Sequence, residues 1–146
     1  MKNLFLFSVM MLLAYSSMSQ DLAHYRWKNR LLIIQADQAH QHTLQKQLLM
    51  LDDKKGLAER KLVIISISPE YYTIRDFAHS DDQHTERKTL IPGHELSRSF
   101  EIKLVGLDGG IKLEKESTIT QDELFSIIDG MPMRRAELRR IKRSNN

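Results

Sequence analysis

Two histidines, His40 and His42, sit two residues apart in the segment Asp37-Gln38-Ala39-His40-Gln41-His42-Thr43. Neutral imidazoles bind divalent metals well, so the pair raises metal-assisted chemistry before any other. A complete site needs three or four ligands, and His24, His79, His84 or Asp37 can join only if folding carries them there. Metal-dependent hydrolysis also requires an open coordination position and a base, and nothing in the spacing provides them. Two solvated loop histidines are the simpler expectation, with no metal and no cofactor assigned. A polar or metal site at His40 and His42 serving a thiol-independent enzyme is the alternative.

Other constellations point away from catalysis. Asp108-Gly109-Gly110 exposes backbone N–H groups as a phosphate loop does, but no Lys-Ser/Thr follows, so a tight turn is expected. There is no Gly-x-Ser-x-Gly elbow for acyl transfer, and Asp81-Asp82 lacks the calcium-loop pattern. The chain contains no cysteine, which excludes thiol redox exchange and Cys-ligated metal. Methionine is the only sulfur left, and its oxidation is not a fast peroxidase route. Trp27, between Arg26 and Lys28, could stack on a ligand, but an aromatic at a strand entrance is expected in the core.

The positive candidate is the charge at the C-terminus. From Arg134 to Asn146 there are six basic residues and one acid, Glu137. Arg134, Arg135, Arg139 and Arg140 could bind sulfated or phosphorylated polymers or an anionic surface. Arg134 could instead pair with Asp129 and lock the preceding helix. The sequence pI near 9.2 thus reports a basic tail on a mildly acidic body.

The chain of 146 residues has room for one domain of ordinary size. It begins with Lys2, an apolar run of twelve from Leu4 to Tyr15, then Ser-Ser-Met-Ser-Gln with small residues at Ser17 and Ser19. That is the layout of a secretory signal peptide, and the run is shorter than the roughly 20 residues a membrane span needs. Residues 1–19 are therefore expected to be removed, leaving residues 20–146 as an exported domain, periplasmic or extracellular, without a transmembrane segment. Lacking disulfides, it must be held by core burial.

Elements must position these groups. Arg30 to Ala36 and Leu62 to Ser68 are aliphatic, β-branched runs that suit buried strands. Between them, Thr43 is placed to cap a helix carrying Leu44, Gln47, Leu48 and Leu51, with Gly56 as its stop. Residues 69 to 92 show no sustained periodicity and read as a long loop. A helical turn is expected from His94 to Phe100. Lys103 to Leu107 and Ile111 to Glu114 flank the Asp108-Gly109-Gly110 turn as a hairpin. Thr120 and Glu123 form a capping box for a helix with Leu124, Phe125, Ile127 and Ile128, stopped by Gly130 and Pro132. A short basic helix follows from Met133 to Lys142. The order β-α-β, helix, β-hairpin, helix predicts an α/β, thioredoxin-like three-layer fold.

Several strings carry a family likeness: Arg26-Trp27-Lys28-Asn29-Arg30, Glu59-Arg60-Lys61-Leu62, the hairpin Phe100 to Lys112, and Leu124-Phe125 through Asp129-Gly130-Met131-Pro132-Met133-Arg134-Arg135. Over residues 24 to 140 the chain resembles an uncharacterised secreted domain of small bacterial exported proteins. That domain recurs in animal sushi-repeat-containing extracellular proteins and in a coiled-coil-containing matrix protein. The resemblance implies a thioredoxin-like fold with peroxiredoxins as distant relatives. Where a thioredoxin-type thiol pair would sit, this chain reads Ala36 to Thr43, and no proline precedes the Lys103 strand. The expected function is a non-catalytic binding module. Its partner is an anionic polysaccharide or a protein, and nucleic acid is not expected for an exported chain.

Overall fold

The molecule is described from a computed structural model that covers residues 22–77, 84–89 and 99–144. Its centre is the strand β1, Arg30–Ala36, whose alternate side chains Leu32, Ile34 and Ala36 are fully buried. After β1 come a short 3-10 turn at Gln38–His40 and the helix α1, Gln41–Leu49. A second helix α2, Lys54–Glu59, leads into β2, Leu62–Ile67. The strands β3, Tyr71–Asp76, β4, His84–Thr89, β5, Phe100–Val105, and β6, Ile111–Lys115, follow. Two helices close the chain: α3, Gln121–Gly130, and α4, Pro132–Ser144.

The strands form one six-stranded mixed sheet in the order β4-β3-β2-β1-β5-β6. β1 and β2 are parallel, joined through α1 and α2, and every other pairing is antiparallel. Because side chains alternate across a strand, the sheet has two apolar faces. Leu32, Ile34, Leu62, Ile64, Ile102 and Leu104 point to one, where Leu44, Leu57, Leu124 and Ile128 of the helices cover them. Leu31, Val63 and Ile65 point to the other, against Tyr25 from the segment before β1.

Several sequence expectations are corrected here. Thr43 lies inside α1 and does not cap it; Asp37 accepts from the His40 amide instead and opens the preceding turn. Gly56 is no stop either. The Asp53 carboxylate accepts from the Gly56 amide at 2.9 Å and starts a separate helix there, because an acceptor at the N-cap satisfies a donor the helix leaves free. Residues 69 to 92, read as a loop, contain β3 and β4. β4 has no aliphatic residue, so no alternation announced it. Its charged side chains bind laterally instead, with Arg87 over the Tyr71 ring at 4.1 Å and Lys88 paired to Glu86 at 3.4 Å. Most of the helical turn expected at His94–Phe100 lies outside the described residues, and Phe100 itself begins β5. The three-layer arrangement rests on that turn; among the described residues α1, α2 and α3 share one face.

Other expectations hold. The hairpin turns at Gly109, whose φ of +82° is open to glycine and strained for other residues. Thr120 Oγ1 accepts from the Glu123 amide at 3.2 Å and caps α3. The Glu123 carboxylate turns to Lys115 at 3.0 Å, so half of the expected capping box is present. Gln47, within the α1 stripe, is buried with both ends of its amide satisfied by the Ile119 backbone, at 3.0 and 2.7 Å. That pair ties α1 to the approach to α3. Among the described residues no helix is long and apolar enough to cross a membrane.

Candidate functional site

The loop after β1 is built around Asp37. Its carboxylate Oδ1 accepts from the His40 amide at 2.9 Å and lies 2.7 Å from His40 Nδ1. The His40 side chain, aided by its backbone N–H, holds the Asp37 carboxyl below the usual range. Gln41 then donates to the Ala36 and Asp37 carbonyls at 3.0 and 2.9 Å and accepts from Ser68 Oγ at 3.1 Å. It thereby pins the ends of β1 and β2 together. His42 is exposed on the first turn of α1. An open depression of about 660 Å³ lies alongside, between His40, His42, Lys46, Ser99 and Glu116.

The two histidines therefore border one polar depression, but His40 is already engaged by Asp37. His24 lines a different cavity, beside Ile65 and Ile74 on the other sheet face. His79 lies outside the described residues. Among the described residues no three His, Cys, Asp or Glu side chains converge as metal ligands. The arrangement offers hydrogen bonding at a solvent-open surface.

The C-terminal residues are arranged in two classes. Arg134 is buried, donating from Nε to Asp129 at 3.2 Å and from Nη1 to the Glu59 carbonyl at 2.9 Å. The pairing with Asp129 expected from the sequence is thus present. Glu137, one turn on, also faces inward and accepts from Arg134 at 3.3 Å and from Arg30 at 3.4 Å. Arg30, at the start of β1, is fully buried and donates to the Arg60 carbonyl at 2.9 Å. Burial pulls the Arg30 pKa down, and the Glu137 carboxylate opposes it. Arg60 completes the cluster, with Nη2 2.6 Å from Asp129 Oδ2 and its guanidinium 3.8 Å over the Phe125 ring. The sequence did not point to Arg30, Arg60 or Glu137, because their meeting depends on three elements packing at one end of the sheet.

The second class faces solvent. Arg135, Arg139, Arg140, Lys142 and Arg143 are exposed. Among the described residues none of the five is in an ion pair. Since the one acid of α4 is turned inward, the outer face of the helix carries five cations and no carboxylate. Trp27, expected in the core, is 60% exposed with the Arg26 guanidinium 5.6 Å from its ring centroid. The reason is local: its amide donates to the Leu107 carbonyl at 2.7 Å with φ at +66°, which turns the indole outward.

Neither a curated protein nor a solved structure matches the chain. Residues 21–137 match a family described as a domain of unknown function, DUF4174. The match spans the whole described sheet and ends at Glu137, so it contains the buried arginine cluster and stops before Arg139 and Arg140. With most of its length covered, this chain belongs to the DUF4174 family.

Proposed function

We propose that this protein is an exported, non-catalytic binding module on a thioredoxin-like scaffold without thiols, and that α4 engages polyanions. One observation carries the reading: five exposed cations share α4 while its single carboxylate, Glu137, is bound inside by Arg30 and Arg134. Such a face attracts anionic polymers over the Debye length and loses hold as salt rises. Anionic polysaccharide is the favoured partner class, and the secretory leader at residues 1–19 argues against nucleic acid. The scaffold assignment is supported by the order β2-β1-β5-β6, with β1 and β2 parallel and a hairpin beside them. Kinship with animal sushi-repeat-containing and matrix proteins rests on the strings around Trp27, the hairpin and Met131-Pro132-Met133. The alternative, an enzyme using His40 and His42, has His40 committed to Asp37 against it.

The test is chromatography on a sulfated-polysaccharide column. We expect retention at low salt, and elution of Arg139→Ala with Arg140→Ala at clearly lower salt, since each cation lost releases fewer counterions. Passage through the column at low salt would remove the reading.

A further inference from the structure

We infer that the end of the sheet where β1 begins docks on the surface of a bilayer containing anionic phospholipid, through the last turns of α4 and Trp27. The inference rests on the polyanion reading above and names a surface for the same cations. Its first observation is the fate of the inward stripe of α4. Arg134, Glu137, Leu138 and Ile141 are spaced i, i+3, i+4 and i+7, so they share one side of the helix. Arg134 is buried and Glu137 is anchored to Arg30. Past Glu137 the same side continues with partly exposed aliphatic residues: among the described residues Leu138 is left 40% and Ile141 52% exposed. About 10 Å of helix, from Leu138 to Ser144, thus runs on with apolar residues on one side and cations on the other.

A soluble polyanion needs only the charges. Branched aliphatic side chains held in water beside them are the mark of a helix that lies at a membrane interface, where lipid headgroups meet the cations and apolar side chains reach below them. A protein partner would call for a larger apolar patch than the two aliphatic residues on this side of the helix supply.

The second observation comes from another part of the chain. Trp27 lies three residues before Arg30, whose guanidinium holds Glu137, so it stands at the same end of the sheet. It is held outward in a left-handed conformation that large side chains rarely take. Arg26 and Lys28 flank it. Ile111, 58% exposed, lies at this end as well: β6 begins opposite Val105, and Val105 pairs with Leu31 near the start of β1. Tryptophan favours the headgroup boundary, where its ring is half wet.

Trp27 is the only tryptophan in the chain, so its fluorescence reads this end of the molecule directly. The chain from Gln20 to Asn146 holds every element described. It is titrated with vesicles of phosphatidylcholine, with and without about a third of phosphatidylglycerol, and binding is followed by co-sedimentation and by Trp27 emission. We expect binding to the anionic vesicles alone, with a blue shift. Leu138→Ser with Ile141→Ser is expected to weaken vesicle binding about ten-fold while leaving elution from the sulfated column unchanged. Both residues are exposed, so the variant is expected to keep the fold, which its urea unfolding checks. Equal vesicle affinity in that variant would overturn the inference, as would binding without any shift in Trp27 emission. Retention on the column without vesicle binding ends the bilayer inference and leaves the polyanion reading intact, and loss of both ends both.

Discussion

Glu137 shows how one side chain can set the character of a surface. Were it turned outward, it would neutralise part of the cationic face; turned inward, it serves Arg30 and Arg134 at once. A buried guanidinium stripped of its carboxylate is costly, because the charge is left without water or partner. We therefore expect Glu137→Gln to destabilise the fold by about 3 kcal/mol in urea denaturation. A change under about 0.5 kcal/mol would show that Asp129 alone suffices for the cluster. The sequence made part of this visible. Arg134 and Asp129 are five residues apart, close enough for the sequence to suggest their contact. The contacts of Arg30 with Glu137 and of Arg60 with Asp129 span most of the domain, and no spacing rule reaches that far. The exposure of Trp27 is not legible in the sequence, because the carbonyl that turns it, Leu107, lies in the distant hairpin.

At the scale of elements, what was legible was what carries its own signal. β1 and β2 are aliphatic runs, the β5–β6 hairpin has its Asp-Gly-Gly turn, and α3 has its Thr120 cap. β3 and β4 lack such marks because β4 is the edge strand and β3, between it and β2, is covered only in part. β3 is only half-buried, and the hydroxyls of Ser66 and Thr73, hydrogen-bonded to each other, stand where apolar residues would have signalled a strand. Gly56 departs from the expected helix stop for a different reason. It sits in α2 because there is no room for a side chain: a Cβ there would lie 2.7 Å from the Phe125 ring and closer still to the Asp53 carboxylate. Within a helix, glycine to alanine ordinarily stabilises by up to about 1 kcal/mol. Here the sign should reverse, with Gly56→Ala losing about 1–3 kcal/mol in thermal or urea unfolding as α2 is pushed off α3. A gain in stability would show that Phe125 gives way freely.

For the whole molecule, the mixed sheet and its helical face followed from the order of elements, since a parallel pair requires a crossover and a hairpin does not. The candidate site was less legible. The loop after β1 stands out through its histidines, yet the structure pairs His40 with the capping Asp37 and leaves His42 exposed. The cations of α4 were visible as composition, but their freedom from partners depended on where Glu137 points. Residues 1–19 belong to this scale as well. If residues 1–19 direct export, protein recovered from the exporting host should begin at Gln20, about 2 kDa lighter than the full chain by mass spectrometry. An intact N-terminus on exported protein would show that the segment is retained.

The charged outer strand β4 has a further consequence. Every sheet ends in a row of backbone donors and acceptors that a foreign strand can complete. At one border of this sheet a newcomer would meet Glu86, Arg87 and Lys88, and at the other Lys112, Glu114 and Lys115. Pairing at either border means stripping water from those charges without returning a partner. The residues that concealed β4 from a hydrophobic reading of the sequence also guard the protein against fibrillar stacking.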